Sequence, residues 1–421
     1  MYPKYEHYKD SDISWLGKIP ESWNVTRFRY ISHITTGTKN TEDKVKDGLY
    51  PFYVRSQTPE KINSYGFDGE AILTAGDGAG VGKVYHYVNG KFDFHQRVYK
   101  FSNFKKVIGK YLYYYLSNNF YNVAILGTAK STVDSLRLPL IQNFEICYPI
   151  LEQQTLIAQF LDQKTAQIDE AISIKERQIA LLKEQKQIMI QNAVTKGLDP
   201  NVKMKDSGID WIGEIPEHWE VKKLKYLTKI NQRVLSETTS PTTIIHYVDI
   251  GSVSFERGIE HVEEFTFSNA PSRARRLAQP GDVAVSTVRT YLKAIAQITE
   301  KHKDHVFSTG FAILQPSIEL VGDFLAYYTK SNSFTLQVSD RSRGISYPAI
   351  NSSDLGEIMI VVPGKAEQKV LIQFIGEQEK IINHSNIVLE NVIQKLKEYK
   401  TTLINSAVTG KIKVTPAMLE G

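Results

Sequence analysis

Two stretches of the sequence determine the expected fold: KDSDISWLGKIPESWNVTRFRYI at residues 9–31 and KDSGIDWIGEIPEHWEVKKLKYL at residues 205–227. They align without a gap at a constant separation of 196 residues, and 12 of the 23 positions are identical. All four tryptophans of the chain lie in these stretches, at matching positions. A match of this length indicates a duplication, and a period near 200 residues indicates two whole modules rather than the short units of a solenoid.

A second pair of matching segments supports the duplication. Residues 149–197 align with residues 363–411 at a constant separation of 214 residues, so the middle of the second half is 18 residues longer than that of the first. The order along the chain is therefore A–B–A′–B′. The flanking segments match while the middles diverge, which indicates a common framework carrying two different surfaces.

The B segments have the pattern of long helices. Residues 156–195 contain no proline or glycine, and Gly197 and Pro200 then provide a helix stop. Apolar residues recur every 3.5 positions on average, as in a coiled-coil seam, with Lys186, Asn386 and Lys400 as polar seam positions that usually fix register or pairing direction. We predict that the two helices, each about 60 Å long, pair as an antiparallel coiled coil. The predicted seam residues are Leu161, Ile168, Ile172, Ile179, Leu182, Met189, Ile375, Ile382, Leu389, Ile393, Leu396 and Leu403.

The divergent middles have the short alternating runs and turn residues of β-rich modules. Both contain a Gly-Asp turn, at Gly76-Asp77 and Gly281-Asp282, and both then contain an aromatic-rich helical segment, at residues 111–120 and 324–334. We therefore predict one fold used twice. The expected class is α+β: two mixed, β-rich domains joined by two long helices, with internal pseudo-two-fold symmetry.

Basic residues in the predicted loops point to a polyanionic partner. The chain has 51 Lys+Arg against 46 Asp+Glu, a net charge of +5, which is mild but averages over faces of different character. The second middle is dense in arginine, which is suited to forked contacts with phosphate and guanine. The predicted DNA-binding residues are Lys39, Arg55, Lys83, Arg97, Arg233, Arg273, Arg275, Arg276, Arg289, Arg341 and Arg343.

Composition excludes several other classes of protein. A length of 421 residues with 42% hydrophobic and 23% charged residues is typical of two or three globular domains. Cys147 is the only cysteine, so neither an internal disulfide nor a Cys-rich zinc module is expected. The sequence shows no apolar run of membrane-spanning length and no apolar core of a signal peptide near its start. A soluble, cytoplasmic protein is expected.

No catalytic or metal-binding motif is complete. Residues 76–83 resemble a phosphate-binding loop, but Asp77 replaces the first glycine and Val84 replaces the hydroxyl residue that binds Mg²⁺. The histidines have no metal-ligand spacing, and there is no Pro-Pro of the kind that amino-methyltransferases use. Residues 42–44 give only half of a nuclease motif, and Cys147 lies in an apolar run typical of a core. We expect a non-enzymatic chain without a metal site.

The combined pattern resembles the specificity subunits of type I restriction–modification systems. The resemblance rests on the two D-x-x-W-[LI]-G-x-I-P-x-x-W-x-V stretches, the P-x-x-x-[EQ]-Q motifs at residues 149–154 and 363–368, and the A–B–A′–B′ order. It implies target recognition domains at 1–150 and 201–363, and helical spacers at 151–200 and 364–421, the last including a C-terminal tail. In this family each recognition domain reads one half of a bipartite DNA site, and the helices set the half-site spacing.

The resemblance also implies partners. Two methyltransferase subunits would dock on the helices, restriction subunits that translocate DNA would join them in phage defence, and AdoMet, ATP and Mg would bind those partners and not this chain. Two alternatives remain open from the sequence. One is the recognition subunit of a fused nuclease–methyltransferase system of type IIB character, and the other is a coiled-coil scaffold that does not bind DNA. The tryptophan stretches are interpreted as framework.

Overall fold

The structure is a computed structural model that describes residues 2–128 and 135–419, with the backbone alone for residues 122–128. It is mixed helix and strand, which confirms the predicted α+β class. The chain forms two compact units: Met1–Glu176 with Glu390–Gly421, and Arg177–Leu389. Each unit holds one module and part of each long helix. These units differ from the four-segment division by sequence because each long helix lies partly in one unit and partly in the other.

The two long helices are α3, Leu151–Lys196, and α8, Lys365–Val408. Each is followed by a glycine in the left-handed region, Gly197 with φ 76° and Gly410 with φ 73°, a conformation that ends a helix at little steric cost. The prediction of two long helices with glycine stops is therefore confirmed.

Within each unit the segments of α3 and α8 run antiparallel. In the first unit Gln153 Nε2 donates to the Val414 carbonyl at 3.0 Å and Lys400 Nζ lies 2.6 Å from Asp169, so positions rise on one segment as they fall on the other. In the second unit Lys186 Nζ lies 2.9 Å from a Glu379 carboxylate oxygen, and Leu182 and Leu389 line one cleft, so the positions again rise on α3 as they fall on α8. The polar seam positions Lys186 and Lys400 thus form ion pairs with the opposite helix.

The predicted seam is apolar and largely removed from solvent. The coiled-coil packing of side chains itself stays a prediction, because burial alone does not define it. Of the twelve seam residues, the buried ones are Leu161, Ile168, Ile172, Ile375, Ile382, Ile393 and Leu403, and the half-buried ones are Ile179, Leu182, Met189, Leu389 and Leu396.

The first module is built on a six-stranded sheet with the order β4-β9-β7-β8-β5-β6, in which β5 and β8 are parallel and the other neighbours antiparallel. The pairs β1-β2 and β3-β10 flank it. Helix α1 packs on β7 and β8. The strands are β1 Tyr8–Asp10, β2 Lys18–Pro20, β3 Asn24–Arg27, β4 His33–Thr36, β5 Tyr50–Tyr53, β6 Glu60–Ile62, β7 Phe67–Ala75, β8 Tyr85–Phe94, β9 Val98–Ser102 and β10 Glu145–Tyr148, and the helices are α1 Gly109–Thr128 and α2 Leu138–Asn143.

The second module has two four-stranded sheets, with the orders β14-β23-β20-β21 and β18-β15-β22-β19. The pairs β11-β12, β13-β24 and β16-β17 are separate. The strands are β11 Met204–Asp206, β12 Glu214–Pro216, β13 Glu220–Lys223, β14 Thr228–Ile230, β15 Ile244–Val248, β16 Val253–Ser254, β17 Gly258–Ile259, β18 Glu263–Thr266, β19 Ala274–Leu277, β20 Val283–Ser286, β21 Ile295–Gln297, β22 His305–Ser308, β23 Phe311–Pro316 and β24 Met359–Val362, and the helices are α4 Leu224–Leu227, α5 Gly322–Thr329, α6 Asn332–Arg341 and α7 Ser352–Gly356.

The two modules share one topology, and they differ by a break in one pair of strands. The long β7-β8 ladder corresponds to β20-β21 continued by β19-β22. In the first module the ladder runs on through the facing pair Gly69 and Gly90, both at positive φ. In the second module Pro280, which has no N–H to donate, and Gly281 at φ 93° interrupt it. One sheet therefore becomes two.

The two Gly-Asp turns predicted to be equivalent are not. Gly76-Asp77 follows β7, whereas Gly281-Asp282 precedes β20, the strand that corresponds to the end of β7. The residue of the second module that occupies the position equivalent to Gly76 is Thr287, whose backbone makes the corresponding two hydrogen bonds. The bonds are Gly76 N–H to Arg97 at 2.8 Å and Leu136 N–H to Gly76 at 2.8 Å, and Thr287 N–H to Gly310 at 2.7 Å and Ile350 N–H to Thr287 at 2.8 Å. A Gly-Asp dipeptide suits many turns, so the match was coincidental.

The aromatic-rich segments also differ. Residues 111–120 lie in α1, as predicted, but residues 324–334 are split between α5 and α6. The break occurs because Ser331 caps α6, its hydroxyl accepting a hydrogen bond from the Phe334 N–H at 3.3 Å.

One tryptophan of each stretch has the predicted framework role, whereas Trp15 and Trp211 are exposed. Trp23 and Trp219 are buried, and Trp219 Nε1 donates to Glu367 of α8 at 2.9 Å. In the first unit the Tyr8 hydroxyl, just before the first tryptophan stretch, donates to the Gly410 carbonyl at 3.2 Å, and Gly410 lies against Pro20 and Trp23 of that stretch.

The P-x-x-x-[EQ]-Q motifs join each long helix to its module. The Gln154 side chain accepts a hydrogen bond from the Ile108 N–H at 2.9 Å and donates to the carbonyls of Lys106 and Pro149 at 2.9 and 2.8 Å. Gln368 makes the same three bonds, with Val321 at 2.8 Å and with Glu319 and Pro363 at 2.9 Å. Both glutamines are fully buried, so the motif supplies partners for backbone groups where strand passes into helix.

Candidate nucleic-acid interface

In the first module two of the predicted DNA-binding arginines converge on one carboxylate. Arg55 Nη1 lies 2.8 Å from Asp77 Oδ1, and Arg97 Nη1 lies 2.5 Å from Asp77 Oδ2. Partial burial raises the pKa of Asp77, but the hydrogen bonds and charges of Arg97 and Arg55 outweigh that effect and lower it below its usual value. Both guanidinium groups stay exposed, and two cations against one anion leave a net positive charge.

The other two predicted residues lie near this arginine pair in the fold. The backbone of Lys39 bridges to His95 and accepts a hydrogen bond from the Gln96 N–H at 2.8 Å, beside Arg97. Lys83 follows the short 3-10 turn Gly78–Gly80, and its Nζ lies 5.4 Å from the ring centroid of Tyr121. An open cleft of about 240 Å³ adjoins the arginines, and it is lined by Thr36, Gly76, Asp77, Gln96, Arg97, Tyr99, Ser135 and Leu136.

In the second module the corresponding end of the sheet carries two loops, residues 287–293 and 342–350, which we call the reading tip. Backbone hydrogen bonds join them: Ile350 N–H to Thr287 at 2.8 Å and Thr290 N–H to Pro348 at 3.3 Å. The Thr290 and Ser342 hydroxyls lie 2.9 Å apart. Arg343 and Ala349 exchange two backbone hydrogen bonds of 2.8 and 2.9 Å, so the second loop closes as a small hairpin.

Three of the predicted arginines lie in or next to the reading tip: Arg289 and Arg343 are in its loops, and Arg341 immediately precedes the second loop. The Arg289 guanidinium lies over the Tyr347 ring, with Cζ 5.3 Å from its centroid. Arg343 is in the hairpin loop and Arg341 ends α6 just before it, and both side chains are exposed. The structure therefore brings these residues together.

Two of the remaining predicted arginines of the second module, Arg233 and Arg273, have side-chain partners within the protein. Arg233 Nη1 lies 2.5 Å from the buried Asp282, at the other end of β20. Arg273 donates to the Tyr247 hydroxyl at 3.1 Å and lies 3.8 Å from Asp249, and it remains exposed.

Arg275 and Arg276 are only half exposed. Arg275 donates to the Ala274 carbonyl at 3.0 Å and lies over Phe267, with Cζ 5.4 Å from the ring centroid. Arg276 Nε is buried and has no hydrogen-bond partner among the residues that the structure describes. The arginine-dense run at 272–276 is therefore not one continuous basic surface.

Sequence reasoning missed Asp77, Tyr347 and Ile345 as parts of these surfaces. A search for cations cannot find a carboxylate that holds two of them, although Asp77 was visible as the residue that spoils the phosphate-loop pattern. Ile345 and Tyr347 lie between Arg343 and Pro348, and an apolar residue beside glycine and proline in a basic loop is the signal that was available.

Within residues 2–128 and 135–419, no group of three or more His, Cys, Asp or Glu side chains is arranged to hold a metal ion. In the same ranges no helix is both long and apolar enough to span a membrane. Cys147 is buried, and burial raises the pKa of its thiol to about 12, as expected for a core residue rather than a nucleophile.

Comparison with known proteins gives consistent results. The family model for the type I restriction modification DNA specificity domain matches residues 20–187. The chain is 22% identical to the EcoDI specificity subunit of Escherichia coli, covering 94% of this chain and 90% of that protein. It is 25% identical to the MjaVIII specificity subunit of Methanocaldococcus jannaschii, covering 97% and 98%.

Two solved structures share the fold. One is a chain from a study of complex assembly and conformational transition of the type I R-M system, with a TM-score of 0.68, 14% identity, and coverage of 93% of this chain and 98% of that one. The other is the HsdS subunit from Thermoanaerobacter tengcongensis, with a TM-score of 0.51, 14% identity, and coverage of 94% and 98%.

Proposed function

From the similarity of this chain to type I restriction–modification specificity subunits, we propose that it belongs to that family and that its two modules read the two halves of a bipartite DNA target. The observation that carries the proposal is that one fold, used twice, presents different loops at the corresponding end of each module. The first module presents the Arg55–Asp77–Arg97 cluster and the second presents the reading tip. Two readers of different sequences require this combination of a constant framework and variable loops.

The long helices are proposed to set the spacing between half-sites. The helices of 46 and 44 residues are about 69 and 66 Å long, which corresponds to about two turns of duplex at about 34 Å per turn. Rigid pairing would fix that distance, and the ion pairs Lys400–Asp169 and Lys186–Glu379 within the units support a defined antiparallel register. The relatives are type I specificity subunits, which favours this function over the fused nuclease–methyltransferase alternative.

Catalysis is proposed to reside in partner subunits, in the cytoplasm. Two methyltransferase subunits would bind the helices and supply AdoMet chemistry, and restriction subunits would supply ATP- and Mg-dependent translocation and cleavage. This chain would contribute DNA binding and positioning. Supporting this division of roles, the carboxylate of Asp77 is engaged by two arginines in the loop that resembles a phosphate-binding site, and Cys147 is buried.

The test is footprinting of the complex of this chain with its methyltransferase subunit. Two protected half-sites separated by an unprotected stretch are expected, and affinity should fall steeply with salt because bound counterions are released. A single continuous footprint would contradict the two-reader model. Unchanged affinity after replacing Arg55, Arg97 and Arg289 by alanine would instead support a scaffold that does not bind DNA.

A further inference from the structure

The reading tip exposes apolar and aromatic side chains that the fold of the module does not need. Ile345 is fully exposed at 103%, and Tyr347 and Tyr291 are 67% and 59% exposed. Leu292 is 41% exposed beside Tyr291. A cluster of apolar side chains held in water on a surface marks an interaction site, because each loses hydrophobic stabilisation that burial would provide.

Part of the backbone of the reading tip has an unfavourable conformation, which hydrogen bonds maintain. Arg289 and Lys293, on either side of the turn Thr290–Leu292, have φ of 49° and 47°, in the left-handed region that residues with a side chain rarely adopt. Hydrogen bonds from Thr290 to Pro348 and Ser342 keep the loop in place. Strained backbone that the surrounding structure maintains is characteristic of binding and catalytic loops.

Charge identifies the class of partner. Residues 287–293 and 340–350 contain the four cations Arg289, Lys293, Arg341 and Arg343 against one carboxylate, Asp340. Among the described residues, no carboxylate forms an ion pair with Arg289, whose guanidinium lies over the Tyr347 ring instead. A guanidinium placed against an aromatic face can still donate hydrogen bonds from its edge. The surface therefore fits a polyanion that also offers flat and apolar groups, which describes nucleic-acid bases better than phosphates.

We propose that the reading tip contacts base edges directly, and this inference rests on the proposed function. Arg289, oriented by Tyr347, donates a forked pair of hydrogen bonds to a guanine, and Ile345 makes an apolar contact with a neighbouring base. The exposed Arg341 and Arg343 beside them bind phosphates and position the module. Arg289 and Ile345 are thus specificity-determining residues of the second half-site.

The exposed apolar side chains distinguish contact with DNA bases from contact with the DNA phosphate backbone. A phosphate group attracts Arg289 but gains nothing from Ile345, since an aliphatic side chain offers no hydrogen bond or charge. In the major groove the thymine C5 methyl group is an apolar partner. The conjunction of a free guanidinium edge and a fully exposed isoleucine is therefore expected of a base reader and not of a phosphate clamp.

The experiment uses the complex with the methyltransferase subunit, its cognate duplex and a scrambled duplex of the same length at one salt concentration. Arg289→Lys keeps the charge and loses the fork, so cognate affinity should fall about 10- to 100-fold while scrambled-duplex affinity changes less than about twofold. The matched control is Arg257→Lys, an arginine that is 77% exposed and paired with Glu260. Mapping of methylated adenines should show relaxed specificity at one position of one half-site.

A second pair of variants tests the apolar contact. Ile345→Ala should lower cognate affinity several-fold, whereas Ile318→Ala, at an 85% exposed isoleucine just beyond β23 at the other end of the sheet, should not. All four side chains are exposed, and circular dichroism confirms that each variant is folded.

Two results would overturn base reading: equal loss of affinity for both duplexes with Arg289→Lys, or equal effects of Ile345→Ala and Ile318→Ala. Either would leave the proposed function intact. If the unmodified complex failed to distinguish the duplexes, the proposed function would fail, independently of the variants.

Discussion

The two buried glutamines that join the long helices to their modules provide a quantitative test of the fold. Replacing Gln368 by Leu keeps the volume of the side chain and removes its three hydrogen bonds, to Val321, Glu319 and Pro363. A typical hydrogen bond contributes about 1 kcal/mol net. Because three backbone groups would lose their hydrogen-bond partner, the free energy of unfolding of the second unit should fall by about 3 kcal/mol.

The same change at Gln154 should cost the first unit the same amount, because its three bonds repeat those of Gln368 in length and type. Urea unfolding measures the magnitude, and hydrogen-exchange mass spectrometry locates it. Faster exchange is expected around Ile108 in Gln154→Leu and around Val321 in Gln368→Leu. The controls are Gln159→Leu and Gln373→Leu, at exposed positions of the same helices, which should change stability by less than about 0.5 kcal/mol.

Two outcomes would contradict this role of the buried glutamines. If either buried variant differed from its control by less than about 0.5 kcal/mol, the hydrogen bonds would be replaced by water at negligible cost. If the two buried variants differed from each other by more than about 2 kcal/mol, the repeated geometry would not carry equal energy. In either case the motif would have to be explained by something other than satisfied backbone groups.

Four further predictions follow from individual contacts and from the burial of Cys147. Asp77→Asn should strengthen binding to non-specific DNA and steepen its salt dependence by up to about one unit of slope, because Arg55 and Arg97 lose their carboxylate partner. Fluorescence anisotropy measures both effects, and an unchanged slope would indicate that the two arginines lie away from the DNA. Since those arginines hold the pKa of Asp77 below its ordinary value of 3.8, the stability it contributes is present above that value and is lost as the pH falls through the lowered pKa, so wild type and Asp77→Asn should converge in stability only in strong acid. Lys400→Glu should destabilise the first unit by about 1 kcal/mol and Asp169→Lys should restore it, in a urea-unfolding double-mutant cycle, and no rescue would argue against that helix register. Cys147 should resist iodoacetamide in the native protein and react once urea unfolds it, by mass spectrometry, since burial raises its pKa to about 12; rapid native labelling would contradict its burial.

The duplication, the helices and the fold class were predictable because each depends on a pattern repeated over many residues. The seam recurs every 3.5 positions over about forty residues, so isolated polar positions such as Asn386 do not obscure it. The P-x-x-x-[EQ]-Q motif could be recognised because it occurs twice. Its role in hydrogen bonding to three backbone groups could be seen only in the structure.

The details of the modules were not predictable because they depend on contacts between distant segments. Pro280 and Gly281 signal a turn, but nothing local shows that they break a ladder that is continuous in the first module. The pairing of Arg233 with Asp282 and of two arginines with Asp77 joins residues 20 to 49 positions apart. An isoleucine in the sequence does not reveal whether it is buried in a core or, like Ile345, lies at an exposed tip.

The first unit is assembled from both ends of the chain, and this affects when it can form. The Lys413 N–H donates to the Pro3 carbonyl at 2.8 Å, so residues near the start of the sequence find partners that a ribosome makes about four hundred residues later. The second unit, Arg177–Leu389, is contiguous and can be completed before synthesis ends. Folding during translation therefore favours completion of the second unit first. Until residues 390–419 are synthesised, the surface of the first module that packs against them stays uncovered. That interval is when the nascent chain is most exposed to aggregation and proteolysis. A prematurely terminated chain would keep its second module while lacking part of its first unit.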